Sequence, residues 1–208
     1  MDLKGLIRQG LSLFSFDSSA VQVETYEAYL LCLSRWNRTF NLTAIHDLEK
    51  MVSHHLMDSL SIAPMIDGDA VIDVASGAGL PGIPLAVHFP EKRFTLLDSN
   101  GKKTRFMTQA CIELALENVT VVQSRVEDYK DCQFEQAVCR AFAPLKDIAD
   151  SCAHIIQQDG NILAMKGRDE RLPPSSPLCV KNRVKLDVPL LSAQRWVIRL
   201  IRQQDRAP

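Results

Sequence analysis

A short apolar run that leads into a glycine-rich turn constrains the fold of this chain more than any other segment. Residues 70–75 read AVIDVA, which predicts a buried strand, and residues 76–82 continue as SGAGLPG. A helix is predicted over residues 80–89, where Pro81 and Pro84 suit a first turn whose amides lack intrahelical partners. A strand, a tight turn and a helix in this order are typical of the carboxyl edge of a doubly wound sheet, where cofactors bind.

The rest of the chain continues the alternation of strands and helices. The further strands that the patterns predict span residues 93–98, 119–123, 136–140 and 160–166, with helices over 100–116 and 145–156. Two final runs, 180–188 and 194–201, follow each other without a helix and predict an antiparallel pair at one edge. The sequence therefore predicts an α/β fold with a mostly parallel seven-stranded sheet and helices on both faces.

The first 66 residues contain no predicted strand. Amphipathic patterns predict helices over residues 2–14, from the Asp17–Ser19 break to Phe40, and over 47–65. We therefore expect a helical cap (residues 1–66) packed on a core of residues 67–208 in one compact unit.

The turn by itself fits two classes of cofactor. Residues 77–82 satisfy the G-x-G-x-x-G fingerprint of dinucleotide enzymes. Asp73, four residues before Gly77, gives instead the Asp-x-x-x-Gly-x-Gly form common in S-adenosylmethionine enzymes, and a buried strand Asp is unusual unless it holds the loop or the cofactor. Asp98 ends the next strand 19 residues after Gly79, close to the offset at which a carboxylate reaches a ribose hydroxyl.

Two further observations favour S-adenosylmethionine over a nicotinamide. Dinucleotide folds usually begin with the strand that here follows the helical cap, and the chain is too short to add a full catalytic domain. A nicotinamide-dependent reductase and a non-catalytic binding factor that keeps the fold remain as alternatives.

The charge is unevenly distributed. Residues 161–208 carry ten Lys and Arg against four Asp and Glu, although the whole chain has a formal net charge of −1. A basic segment on an acidic body suggests a polyanionic partner, while solvated strand edges would explain the same pattern.

The cysteines and the apolar runs bear on the compartment. Six widely spaced cysteines form no CxxC pair and no zinc-like spacing with His, so no metal site is predicted. The N-terminus lacks a signal-peptide profile, and no apolar run reaches the ~18 residues of a membrane span. We expect a soluble cytoplasmic protein in a reducing environment.

Seven short stretches, in order, make the chain similar to a known family over about residues 36 to 168. They are 36–38 with 41–45, 54–60, 73–86, 96–99 with 101–103, 124–127, 139–143 and 165–167. Through them the chain resembles the bacterial RsmG (glucose-inhibited division protein B) family, the 16S rRNA guanine-N7 methyltransferases.

The resemblance implies a Rossmann-like class I methyltransferase core behind a helical extension. It implies S-adenosylmethionine as the donor, N7 of guanine 527 as the acceptor, and 16S rRNA in the small ribosomal subunit as the partner. No feature demands a dimer, so we expect a monomer. The cofactor positions that it implies are Ala75, Leu80, Val126, Glu127 and Arg140, and the logic of the fold adds Asp73, Gly77, Gly79 and Asp98. Many relatives have Gly where this chain has Ala75, whose methyl group is expected to tighten the loop.

Arg125 and Arg140, at the carboxyl ends of strands, are the candidate catalytic residues. Arg140 could contact the cofactor carboxylate or the guanine, or form a salt bridge with an acidic neighbour, and Arg125 could pair with Glu127. Guanine N7 has a lone pair and no proton, so the reaction needs alignment and desolvation rather than a general base. The base must be presented unstacked.

Basic residues near these strand ends and in the cap are candidate phosphate contacts, with a solvated surface as the alternative for each. They are Lys102, Lys103, Arg105, Lys166, Arg168, Arg35, Arg38 and His54. Lys166, at a strand end beside Gly167, is the strongest of them. The pair His54 and His55 is interpreted as a capping or core pair rather than a metal site.

Overall fold

The computed structural model describes residues 2–203. Met1 and residues 204–208, including two charges of the basic C-terminal segment, lie outside the described residues. Helices α1 to α7 span Leu3–Leu13, Ala20–Phe40, Leu48–Met51, Asp58–Leu60, Gly82–His88, Gly101–Glu113 and Leu145–Cys152. Strands β1 to β7 span Ala70–Val74, Arg93–Asp98, Val119–Gln123, Phe134–Arg140, Ile156–Lys166, Leu178–Leu186 and Arg195–Arg202. A π-helical turn covers Val52–Met57, and 3-10 turns cover Ala63–Met65, Val126–Asp128 and Ala153–Ile155.

All seven strands form one sheet in the order β3-β2-β1-β4-β5-β7-β6. The first five are parallel, and β7 runs antiparallel to both β5 and β6. The predicted fold class, with its antiparallel pair at one edge, is confirmed. Parallel order brings the carboxyl ends of β1 to β5 to the same edge, where crossover loops can form a site.

Each face of the sheet has its own hydrophobic cluster. One face packs against α1, α2, α5 and α6, and its fully buried residues include Tyr29, Ile83, Phe94 and Phe106. The other face packs mainly against α7. Side chains of the helical cap and of the sheet therefore share one continuous core, which fixes the cap relative to the strand ends.

The third predicted helix is not continuous. Residues 47–65 form α3, the π-helical turn, α4 and a 3-10 turn, with Pro64 in the last of these. The π-helical turn buries His55, Leu56 and Met57 and leads directly into the buried Asp58. Amphipathic spacing does not reveal such an inserted turn, because every residue from Met51 to Ala63 except His54 is buried and no one-sided stripe shows the change of phase.

The boundary between α7 and β5 also differs from the prediction. The helix ends at Cys152 rather than near residue 156, and β5 begins at Ile156 rather than at 160. Ile156 pairs with Phe134 in the parallel ladder with β4. Pairing between distant segments thus overrides the local helical pattern.

Among residues 2–203, no helix combines the length and apolarity needed to cross a bilayer.

Candidate active site

Two adjoining cavities open at the carboxyl edge of the parallel strands. The larger, of about 1170 Å³, lies between the helical cap and the loops after β4 and β5. The smaller, of about 300 Å³, lies beside the ends of β2 and β3. Four residues line both: Ala75, Lys103, Ala141 and Phe142. The two cavities together form one cleft over the glycine-rich turn, as the sequence predicts.

Asp98 shapes the turn from the neighbouring strand. Its carboxylate is 5% exposed and accepts hydrogen bonds from the amides of Gly77 and Asn100, both at 2.9 Å. The ammonium of Lys103 lies 3.5 Å from the same carboxylate. A nearly buried charge held in this way presents a fixed acceptor at the wall of the smaller cavity.

Asp73 lies beneath the turn and does not line the cleft. It is fully buried, and its Oδ2 accepts from the Gly82 amide at 2.8 Å, which tethers the first residue of α5. Its Oδ1 has no hydrogen-bond partner. Burial raises the pKa of Asp73 to about 7. Of the two roles that the sequence leaves open, the structure places this carboxyl against the loop backbone.

The raised pKa of Asp73 predicts a pH-dependent stability. The folded protein binds a proton at Asp73 at pH values where the unfolded chain does not, so this contribution is present at low pH and is lost as the pH rises towards 7. Between pH 5 and pH 8 the wild type should lose on the order of 2 kcal/mol relative to Asp73→Asn, whose side chain stays neutral. Urea unfolding of both proteins at the two pH values measures this difference, and a constant difference would contradict the prediction.

The two glycines of the turn face in different directions. Gly77, with φ +62°, has no atom within 3.9 Å of the position a Cβ would take, so its outer side is open to the larger cavity. A Cβ on Gly79, with φ +77°, would lie 2.4 Å from Ile83 Cδ1, so this glycine faces α5. Gly77 and Leu80 therefore line the cleft, whereas Gly79 permits close packing of the turn on α5.

The helical cap holds the same turn from above. The buried hydroxyl of Tyr29 in α2 donates to the Ala78 carbonyl at 2.6 Å. Sequence analysis missed this contact, because the apolar pattern of α2 explained Tyr29 as a core residue.

Ala75 adopts a backbone conformation that favours glycine. Its φ is +58°, a region that costs an L-residue roughly 1–2 kcal/mol. This strain gives a physical reason for the glycine that the resemblance leads us to expect there. Ala75→Gly should raise the free energy of unfolding by roughly 0.5–1 kcal/mol, since the flexibility of glycine in the unfolded chain offsets part of the relief. Ala78→Gly, at a residue outside the positive-φ region, should lower that free energy in the same urea titration. A loss of stability in Ala75→Gly would contradict the strain argument.

A buried carboxylate joins two arginines at the other wall of the cleft. Asp58, with its side chain 3% exposed, accepts from Arg140 Nη1 at 2.9 Å and from Arg195 Nε at 2.8 Å. Arg140 also donates to the His54 carbonyl at 3.0 Å. The acidic neighbour considered for Arg140 is thus present and belongs to the helical cap. Asp58 and Arg195 were not among the predicted site residues, since no local pattern marks them.

Arg125 and Glu127 are exposed at the smaller cavity, with Val126 buried between them. The pairing considered for these two side chains does not form among the described residues, where no ion pair joins them. The charged groups of both side chains are exposed to solvent at the rim of the smaller cavity.

The predicted phosphate contacts separate into three groups. His54, Lys103 and Arg168 line the larger cavity, whereas Lys102, Arg105 and Arg38 are exposed outside its lining. Arg35 instead pairs with Glu113 at 2.7 Å, which links α2 to α6.

Lys166 differs most from its expected role. It is 8% exposed, and its ammonium bonds the Ala143 carbonyl and lies 3.3 Å from Glu170. Glu170 in turn accepts from the Leu145 amide at 2.9 Å. Lys166 thus fastens two loops at the rim of the larger cavity, and the expectation of a phosphate contact is corrected, because its charge is already compensated.

The two neighbouring histidines take different positions. His54 Nδ1 lies 2.8 Å from the Ser53 hydroxyl, and the buried His55 places Nε2 at 2.9 Å from Thr43 Oγ1. Burial lowers the pKa of His55 to about 4. Among residues 2–203, no group of three side chains could hold a metal ion.

Comparisons with known proteins identify the family of this chain. The family model described as GidB: rRNA small subunit methyltransferase G matches residues 22–174. Ribosomal RNA small subunit methyltransferase G of Alteromonas mediterranea is 43% identical over 201 residues, 95% of both chains. The protein of the same name from Neisseria meningitidis serogroup A is 44% identical over 204 residues, 95% of this chain and 98% of that one.

A solved structure supports the fold alone. The mitomycin 7-O-methyltransferase MmcR matches with a TM-score of 0.61 and 14% identity, over 84% of this chain and 60% of that chain. The nicotinamide-dependent alternative is not supported by any of these matches. Since the family model covers most of the chain and both curated relatives match along nearly its whole length, the chain belongs to the GidB family, the S-adenosylmethionine-dependent methyltransferases described as rRNA small subunit methyltransferase G.

Proposed function

We propose that this enzyme methylates N7 of a guanine in the 16S rRNA of the small ribosomal subunit. The observation that carries the proposal is the ion pairing of the carboxylates that line the larger cavity. Asp58 is paired with Arg140 and Arg195, Glu170 with Lys166, and Asp169 with Arg183 at 2.8 Å. Each of these three carboxylates is paired with a cation, so none of them is a free general base in the larger cavity. Guanine N7 is an acceptor without a proton, which suits a site of this kind.

The residues of the smaller cavity fit S-adenosylmethionine. Asp98 can accept from ribose hydroxyls, and the partly apolar pocket formed with Val126 suits an adenine ring. The open side of Gly77 leaves room for a ligand directly over the turn, next to Ala75 and Leu80. The bound donor supplies a methyl group on a sulfonium, whose leaving group is already activated.

The chain's own contribution to the reaction is alignment and exclusion of water. The turn and Asp98 fix one reactant, while the helical cap and the loops after β4 and β5 enclose the other. Holding two reactants in attack geometry can contribute effective molarities of about 10⁵ M or more. His55, whose pKa is lowered to about 4, stays neutral at physiological pH and adds no charge beside the guanine.

Arg140 and Arg125 are the proposed arginines of the reaction centre. Arg140 is positioned by Asp58 and lines the larger cavity, where its remaining N–H groups can contact the donor carboxylate or the guanine. Arg125 lies at the rim of the smaller cavity. In both cases the guanidinium donors can complement a negative or electron-rich group, and Asp58 holds that of Arg140 in place.

Arg140→Ala should lower the rate of methyl transfer by about tenfold or more, the value of one charge-assisted hydrogen bond. The fold should persist, because Asp58 keeps Arg195 as a partner. Single-turnover transfer from labelled donor measures the rate, and circular dichroism reports the fold. Arg199→Ala, which removes an arginine paired with Asp67 outside the cavity lining, is the matched control. Equal rates for the two variants would remove Arg140 from the site.

Phosphate contacts would come from the cations around the cleft. His54, Lys103 and Arg168 line it, and Lys102, Arg105 and Arg38 lie on the surface beyond it. Such contacts give affinity that falls with salt and is independent of sequence. The helical cap of residues 1–66 forms one wall of the cleft in this proposal, and a monomer acting on ribosomal subunits in the cytoplasm satisfies it.

The decisive experiment transfers methyl groups from tritiated S-adenosylmethionine to small subunits from a strain that lacks the activity. We expect label in 16S rRNA at one guanine, with the N7 position established by cleavage chemistry specific for 7-methylguanine. Label at another atom or in another RNA would overturn the proposed acceptor. Binding to the small subunit without methyl transfer would favour the alternative of a non-catalytic ribosome-binding factor.

A further inference from the structure

At the antiparallel edge of the sheet, a row of paired side chains crosses β5, β7 and β6 at the end nearest the cleft. In the strand register Trp196 of β7 lies between Lys166 of β5 and Lys185 of β6. Lys166 lines the larger cavity. Because paired residues project from the same face of a sheet, the row extends from the cavity rim to the outer edge strand.

Helix α7 does not cover this end of the face. Ile198 and Leu200, the next residues of β7 on the same face, are buried in the cluster beneath α7. Trp196 is half-buried and belongs to neither hydrophobic cluster, and its neighbours Arg183 and Lys185 are exposed. A half-buried indole keeps part of its ring face available, and tryptophan suits a position where one side of the ring packs on protein and the other can meet a ligand.

Several cations near this row have no acidic partner within the described residues. Arg168 and Arg171 line the cavity rim, and Lys181 and Lys185 lie exposed on β6. Other basic residues of the hairpin are already compensated, because Arg195 pairs with Asp58 and Arg199 with Asp67. Of these cations, Arg168, Arg171 and Lys185 lie at the cleft end of the sheet, whereas Lys181 lies in the bulge of β6, outside the paired row.

We propose that this surface, formed by Trp196, Lys185, Arg168 and Arg171, binds the rRNA strand next to the target nucleotide. Trp196 stacks on an unpaired nucleobase, and the cations contact the flanking phosphates. Aromatic stacking with adjacent cations is the general chemistry of single-stranded RNA recognition. The inference rests on the proposed function, because it names the surface that delivers the RNA to the same cleft.

Tryptophan fluorescence tests the stacking directly, since the chain has two tryptophans. Trp36→Phe leaves Trp196 as the reporter, while Trp196→Phe leaves Trp36, which packs against Phe40 and Phe106. The probe is an unmodified 16S rRNA transcript. We expect quenching of Trp196 emission on RNA binding and unchanged Trp36 emission. Unchanged Trp196 emission at saturating RNA would overturn the proposal.

Affinity measurements separate stacking from charge. Trp196→Leu should weaken RNA binding about tenfold at every salt concentration, because stacking carries no charge. Arg171→Gln with Lys185→Gln should instead lower the slope of log affinity against log salt concentration by about two contacts. Arg93→Gln is the matched control and should change the slope less, because this exposed cation lies at the start of β2, at the end of the sheet away from the cleft.

Calorimetric measurement of S-adenosylhomocysteine binding distinguishes failure of the proposed RNA surface from failure of the proposed function. We expect it to be unchanged in Trp196→Leu, and an equal loss of both ligands would show a structural role for Trp196 and overturn the inference. If the wild type methylates rRNA but the variants of this surface bind it normally, this surface is wrong and the proposed function stands. If the wild type transfers no methyl group to rRNA, the proposed function itself fails.

Discussion

Asp98→Asn should weaken the binding of S-adenosylhomocysteine by about 100-fold, a loss of two charge-assisted hydrogen bonds at the low end of their range. The carboxylate is nearly buried at the end of β2, so its charge is little screened by water. Asn keeps the shape but offers one acceptor instead of two. Its amide group would also face the backbone N–H groups of Gly77 or Asn100, which the carboxylate now accepts. The variant should therefore lose contacts to the ribose and, at the same time, weaken the hydrogen bonds that hold the turn.

Isothermal titration calorimetry with S-adenosylhomocysteine measures the loss without relying on turnover. Asp69→Asn is the matched control, since this carboxylate is 81% exposed and pairs with Lys92 just before β1. The control should bind within about twofold of the wild type, as expected for a surface ion pair. A dissociation constant for Asp98→Asn close to that of the control would exclude Asp98 from the cofactor site.

The turn and its acidic partner could be predicted from the sequence because both depend on local chemistry. Gly77 requires a positive φ, and an apolar run of five residues buried on both faces predicts a central parallel strand. The distance along the chain from Gly79 to Asp98 follows from one helix and one strand of ordinary length. These features give the fold class and one wall of the cleft.

The opposite wall could not be predicted, because its contacts join residues that are remote in the chain. Asp58 and Arg195 are 137 positions apart, and Tyr29 and Ala78 are 49 apart. The position of a residue at a strand end also did not reveal which way its side chain points. Lys166 lies at the cleft, yet its ammonium group is buried against the Ala143 carbonyl at the rim. Local patterns establish which element a residue belongs to, whereas burial and pairing depend on how the elements pack.

Asp58→Ala should lower the free energy of unfolding by about 3 kcal/mol, the lower end of the cost of removing one member of a buried ionic network. The variant leaves the guanidinium groups of Arg140 and Arg195, whose side chains are 19% and 23% exposed, without the carboxylate between them. Both positive charges would then face each other at the junction of the helical cap and the sheet. Methyl transfer should fall as well, because Arg140 loses the contact that positions it.

Urea unfolding of a double-mutant cycle tests this argument. Asp58→Ala combined with Arg195→Ala should be destabilised by less than the sum of the two single variants, because the second change removes one of the two unpaired charges. Asp69→Ala, which removes an exposed ion pair, is the control. It should lower the free energy of unfolding by less than about 1 kcal/mol. If Asp58→Ala costs no more than Asp69→Ala, or if the cycle is additive, the carboxylate does not hold the two arginines together. The cap and the sheet would then depend on their shared hydrophobic core and on contacts such as the Tyr29–Ala78 hydrogen bond to form the cleft.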